Sequence, residues 1–355
     1  QSGPVAVYWV SASTTTGMAG MMGMGGPGGP GGPGAQGGRG GKRPGLGAMM
    51  GAALGGGGIP GFGGGGGHGG RGGGGGGQPQ YTHTLLLQLG STQKAAADPS
   101  AEHLVPEGLG AGPSLPLVTP RVAPPEPPET YQPPQMNGQR PQGKIKIYWG
   151  CGEHAAPPIV IDFATMGVGK VPAIPTITAN PGRPPSAGRF ATYGEWPNER
   201  SRASVPPQGS LVGAHTVQGN YSPPINFTLG PDHDFMGPLN ITSQNPSAGG
   251  GTRITWNPVP GTTGYFAWMM GGGAGGRGDD VQAVMWSSSA VAVMFGPRMD
   301  YLPAPEVRRL IASRVVLPPS TTECISPSEV TQSGAVGMLS MIAYGAEANF
   351  ADPRN

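Results

Sequence analysis

Charge is scarce in this chain. Asp, Glu, Lys and Arg make up 11% of it, against about 25% in an ordinary soluble domain. So low a share argues against a cytosolic enzyme. The formal net charge of +2 is too small to steer a polyanion over distance, so no nucleic-acid partner is expected. Long apolar runs are also missing. A membrane-spanning helix needs about 18 or more consecutive apolar residues, and none is expected here. There are six histidines, and none stands in a recognisable Ser–His–Asp frame. No enzymatic activity, metal or cofactor is expected. There are two cysteines, Cys151 and Cys324. In a secreted protein they are expected to pair, closing a long loop and contributing about 4–5 kcal/mol in the chain-entropy model. The alternative is two buried thiols. The chain opens at Gln1, without Met or a basic-then-apolar leader. This reads as a mature terminus after signal-peptide removal, with the protein in the extracellular space, on the cell surface or in the periplasm.

Glycine and proline are abundant, with 69 Gly and 43 Pro. Thirty-five of the Gly fall within Gly17–Gly77, where no residue is acidic. A Gly-rich chain is by default a flexible linker. The triplets of Gly25-Gly26-Pro27-Gly28-Gly29-Pro30-Gly31-Gly32-Pro33 suggest instead a polyproline-II arm, which has three residues per turn and no internal hydrogen bonds. Such an arm gains order by bonding its free amides to neighbouring polypeptide. Arg39-Gly40-Gly41 and Arg71-Gly72-Gly73 look like RGG elements, but two are too few to collect phosphate contacts.

The rest reads as short strands. Val5–Ser11 is aromatic and β-branched and must pair with the body's sheet or add to a neighbouring copy. Val5-Ala6-Val7-Tyr8-Trp9 returns as Ile145-Lys146-Ile147-Tyr148-Trp149, which suggests a duplicated unit or two strands in similar surroundings. Tyr81–Leu89 ends in a continuous Leu run, expected to be buried on both faces. Ala95–Gly143 is Pro-rich and reads as a linker or strap, with a short strand at Leu115–Val118. Lys144–Trp149 and Pro158–Phe163 predict a hairpin. Further strands are expected at Ile174–Ile177, Phe190–Tyr193, Leu211–Gln218 and Ile225–Leu229.

Arg253-Ile254-Thr255-Trp256-Asn257-Pro258-Val259-Pro260-Gly261-Thr262-Thr263-Gly264-Tyr265 resembles the B–C region of fibronectin type III and other immunoglobulin-like domains. There a Trp ends one strand, a Pro-x-Pro-Gly turn follows and Gly-Tyr opens the next. The resemblance covers residues 239–287 and implies strands at Leu239–Thr242, Tyr265–Met270 and Val281–Trp286, in a binding or spacer module. A helix is predicted over Ala304–Val316 from Val307, Leu310, Ile311 and Val315. A second follows Ser326-Pro327-Ser328-Glu329, read as a capping box with Ser326 at the N-cap. Met338–Tyr344 is expected to be a last strand. From Lys144 onward the chain also resembles uncharacterised secreted proteins of Gram-negative bacteria, a likeness that implies no activity.

Several clusters invite a chemical reading. Cys151-Gly152-Glu153-His154 could be a metal site or a Cys–His nucleophile, though pairing with Cys324 explains Cys151 more simply. Asp232-His233-Asp234, with Asp279 and Asp280, could hold a cation; a solvated turn is the plainer reading. Tyr193 and Trp196, beside Glu195, form a candidate aromatic ligand platform for sugars. Met166–Lys170 lacks the spacing of a P-loop. Arg277-Gly278-Asp279 matches the integrin tripeptide by chance. Asn220, Asn226 and Asn240 begin glycosylation sequons.

The expected fold is mainly β, sandwich-like, with short helices near the C-terminus and an N-terminal Gly-rich polyproline-II-like arm. The expected division is an N-terminal strand (1–16), the arm (17–79), a strand with a Pro-rich linker (80–143), a β domain (144–236) and the fibronectin-like segment with its C-terminal helices (237–355). The expected function is that of a secreted structural protein, a self-associating builder of a filament or surface layer. A polysaccharide-binding module and, less so, a hydrolase are the alternatives.

Overall fold

The computed structural model describes residues 4–16, 81–120, 143–162, 179–201, 203–273, 281–293, 299–333 and 336–350. The chain is mainly β, with a few short helices near the C-terminus. Its first strand, β1 (Ala6–Thr16), runs antiparallel to β2 (Tyr81–Ser91) in continuous register from Ala6↔Ser91 to Thr16↔Tyr81. The Gly-rich residues therefore connect two neighbouring strands. On β2, Leu85, Leu87 and Leu89 are fully buried while Leu86 and Gln88 are half-covered. The expectation of burial on both faces is corrected: a second sheet covers one face only.

That second sheet is built from β3 (Ala101–Leu104), β4 (Ser114–Leu117), β8 (Gly213–Gly219) and β9 (Ile225–Leu229), in the order β4-β3-β8-β9. The first has the order β1-β2-β7, with β7 at Thr192–Trp196. A two-way backbone pair between Val118 and Glu195 joins the two along the β4–β7 side. At the opposite edges Tyr8 and Phe227 bring their ring centroids to 6.2 Å. The seven strands thus curl around one core of Leu85, Leu87, Leu89, Leu115, Leu117, Trp196, Val217 and Tyr221. Period-2 alternation produces this, because every second side chain of each strand points inward.

The remaining strands make a five-stranded sheet, in the order β15-β12-β13-β5-β6, and a three-stranded sheet, β10-β11-β14. Their ranges are β5 (Gly143–Trp149), β6 (Ile159–Asp162), β10 (Ile241–Pro246), β11 (Thr252–Trp256), β12 (Gly264–Gly273), β13 (Val281–Ser287), β14 (Glu323–Ser326) and β15 (Val336–Tyr344). β5 and β6 form the expected hairpin, and β5 runs parallel to β13. Tyr265, Ala267, Val284 and Trp286 pack against Ile254 and Trp256 of the smaller sheet. Phe266 on the other face packs under helix α1 (Ala304–Ala312) through Val307 and Leu310. The turn after Trp256 carries the chain from one sheet to the other. Trp256 and Tyr265 meet edge to face at 5.6 Å, and the Tyr265 hydroxyl accepts the Val259 N–H at 2.9 Å.

Residues 144–236, expected as one β domain, contribute β5 and β6 to the five-stranded sheet and β7 to β9 to the sheets of the first core. β3 and a 3-10 turn at Glu107–Leu109 lie inside the stretch expected as a Pro-rich linker. Helix α1 stops at Ala312, short of Val316. Arg314 turns left-handed at φ 58, and the Val315 N–H reaches back to the Leu310 carbonyl, the bonding of a Schellman C-cap. The capping-box reading is also corrected. Helix α2 (Ser328–Gln332) is preceded by Pro327 and has no side-chain cap. Ser326 ends β14, and the Glu329 carboxylate faces the Ala155 N–H instead. The two Tyr-Trp strands are no pair by environment, since β1 is an antiparallel edge strand and β5 an interior strand parallel to β13. The Gly-rich arm (17–79), Met166–Lys170, Ile174–Ile177, Arg277-Gly278-Asp279 and Asp280 lie outside the described residues.

Candidate functional site

The seat of β1 combines backbone pairing, apolar burial and side-chain hydrogen bonds. Its main chain pairs with β2 throughout, and Thr92 adds one more N–H to the Val5 carbonyl at 2.9 Å. Its even-numbered side chains Ala6, Tyr8, Val10 and Ala12 enter the first core. On the opposite face the Trp9 indole lies on Gly182, where a Cβ would come within 2.3 Å of the ring. Further along, the Thr14 hydroxyl donates to the Met236 carbonyl at 2.6 Å and the Thr16 hydroxyl to that of Leu239 at 2.8 Å.

Behind Tyr8 lies a chain of polar groups inside the apolar core. The Tyr8 hydroxyl meets His103 Nδ1 at 2.8 Å, His103 Nε2 meets His215 Nδ1 at 3.0 Å, and His215 Nε2 meets the Leu211 carbonyl at 2.7 Å. Both histidines are buried, His103 completely. The carbonyl can only accept, so the His215 proton sits on Nε2 and its Nδ1 accepts. His103 then donates from Nε2 and accepts the Tyr8 proton on Nδ1. Every partner is satisfied with both rings neutral. Phe227 stacks on His215 at 4.8 Å with an interplanar angle of 1°. Burial, and secondarily His215, push the His103 imidazole down to about 3. Burial also lowers His215, and it holds the Tyr8 phenol well above its ordinary value.

Sequence reading singled out neither histidine. His103 lies in a four-residue strand inside Pro-rich sequence, so it offered no periodicity. The available signal was parity, since His103 shares its facing with Ala101 and His215 with Val217, all inward.

The other clusters have structural occupations. Cys151 and Cys324 form a disulfide with an S–S distance of 2.08 Å, tying the β5–β6 connection to β14. In the same segment the Glu153 carboxylate accepts from the Ser247 hydroxyl and the Gly249 N–H of the β10–β11 turn, and His154 pairs with Glu329 at 3.3 Å. Asp234 accepts from the Ser210 hydroxyl and the Leu211 and Phe235 amides, so it closes a loop. Tyr193 and Trp196 are 4% and 2% exposed. Trp196 donates to Ser201 and precedes the cis peptide to Pro197. Neither ring offers a face to a sugar, which corrects the expected ligand platform, and Trp256 is equally buried. His83 meets the Thr14 hydroxyl at 3.0 Å, but that hydroxyl already donates to Met236. It is therefore no activated nucleophile. Asn220, Asn226 and Asn240 are exposed. Among the described residues no group of three His, Cys, Asp or Glu could hold a metal ion, and no helix is long and apolar enough to cross a membrane.

Comparison with family models, curated proteins and solved structures finds no match.

Proposed function

We propose that this is a secreted structural protein that assembles with copies of itself by exchanging β1, building a filament or surface layer. The observation that carries the reading is the junction of β1 and β2. Thr16 and Tyr81 are direct cross-strand partners, and residues 17–80 lie between them in sequence. A two-residue turn suffices to join such a pair. The connection is far longer than the pairing needs, so the seat beside β2 does not require a β1 from the same chain. Strand addition gives affinity through main-chain bonds, in keeping with a chain so poor in charge. The disulfide supports an oxidising compartment. The crossing from Trp256 to Tyr265 supports a spacer of fibronectin type III character.

The test replaces residues 17–80 with Asn-Gly, a turn that favours a tight hairpin. The full chain is expected to assemble, as followed by sedimentation and electron microscopy. The short-turn variant is expected to remain a folded monomer. Equal assembly of both would sink the reading.

A further inference from the structure

We propose that Tyr8, His103 and His215 form an acid-sensitive latch that holds β1 in its seat at neutral pH and releases it when the imidazoles take up protons. A second copy of the chain would then supply or receive the freed strand, a step that rests on the strand-exchange reading above.

The chain from the Leu211 carbonyl to Tyr8 has one donor for each acceptor, over 2.7, 3.0 and 2.8 Å. An added proton breaks that count wherever it enters. On His215 it sets Nδ1–H against the Nε2–H of His103, and relief comes only if His103 moves its own proton to Nδ1. On His103 it places N–H directly against Tyr8. In both cases Tyr8 must accept, and its own proton must turn away from His103. The surplus ends at the one member of the chain that belongs to β1.

Among the described residues no counter-ion is bonded to either imidazole. The groups facing the pair are the Tyr8 phenol from β1, the Phe227 ring from β9 and the Leu211 carbonyl ahead of β8. β8 and β9 carry no charged residue in Gly213–Gly219 or Ile225–Leu229. The carboxylate of β3, Glu102, is engaged with Ser114 and Gln218. The exposed Phe350 ring packs on Phe227 at 5.3 Å. A buried charge without a partner is strongly disfavoured, so protonation and opening are coupled. The unfolded imidazole takes its proton near pH 6.5, while burial pushes the seated His103 down to about 3 and lowers His215. The seat is therefore fully stable above 6.5. Below that, each histidine shifts the balance toward the released strand by up to about tenfold per pH unit.

The test uses the full chain between pH 7.5 and 3. Hydrogen exchange is followed in residues 4–16 and 81–91, with correction for intrinsic rates, and the histidine ring protons are followed by NMR. Opening of β1 is expected to begin below about 6.5 and to coincide with protonation of His103 and His215, while β12 and β13 stay protected. Titration of both rings at their ordinary value with β1 still seated would overturn the latch, as would constant protection across the range. The variant Tyr8→Phe/His103→Leu/His215→Leu is expected to lose the acid response. A profile like the parent's would overturn the proposal, and if the variant does not fold, the parent's ring protons decide. Sedimentation in parallel separates the two ideas. Release without association leaves the latch standing and removes strand exchange. Association without any acid-dependent opening of β1 does the reverse.

Discussion

The two groups of sheets solve the same problem in different ways. Each must hold elements that are distant in sequence. Around the Trp256–Trp286 core, β14 is bound to the β5–β6 connection by a disulfide between residues 173 positions apart. The interior strands there bury both faces: Phe266 and Tyr265 on β12 lie on opposite sides, each fully buried. Around the Leu87 core, β1 is held by a backbone ladder, four small or aromatic side chains and a neutral hydrogen-bonded chain. The first arrangement is covalent. The second is non-covalent and runs through two buried imidazoles, the feature on which the proposed latch rests.

The largest effect is expected at the disulfide. Cys151→Ser with Cys324→Ser removes a very long loop closure, so a loss of about 5 kcal/mol is expected from the chain-entropy model. Denaturant unfolding would measure it, and exchange in β11 and β14 should rise while β1 stays protected. Loss of β1 protection to the same degree would mean that the two halves unfold as one. Next comes Leu87→Ala, fully buried in the first core, with an expected cost of about 3 kcal/mol that opens β1 and β2 and leaves β12 untouched. Mild acid gives a smaller effect for each pH unit. Below about pH 6.5, the sheets around His103 and His215 should weaken by up to about 1.4 kcal/mol per pH unit for each proton taken up. The carboxylates behave differently. Glu329, lowered chiefly by the Ala155 N–H, and Glu306, lowered chiefly by Arg309, contribute stability above their unfolded value that is lost only as pH falls through the lower folded one. A thermal melt of each half across this range would separate the two windows. The smallest effect is expected at the exposed Arg253–Glu323 pair. Arg253→Ala should cost less than about 1 kcal/mol, and a larger loss in a melt would mean that β11 depends on its surface ions.

Much of the strand content was legible before any fold was known. Ile225–Leu229, Lys144–Trp149 and Tyr265–Met270 announce themselves by β-branched and aromatic alternation, and the structure places strands there. What alternation cannot announce is the partner. Lys144–Trp149 lies parallel to Val281–Ser287 across a long intervening sequence, and no local pattern encodes that neighbour. Short elements were lost for a related reason. Ala101–Leu104 is too brief to show a period, so His103 went unseen inside apparent linker. The end of α1 escaped because Arg314, rather than a glycine, takes the left-handed turn.

Composition and pattern alone determined that the chain is β-rich, poor in charge, with two cysteines and a Gly-rich insertion. These are properties of single residues and of period-2 spacing, which need no partner to be read. Only the tertiary structure decided that the first strand seats against β2, that the cysteines meet, that Tyr193 and Trp196 face inward, and that two histidines and a tyrosine form one hydrogen-bonded line. Such relations join residues far apart in sequence, and their chemistry follows from burial, which is a property of the packed chain rather than of any residue within it.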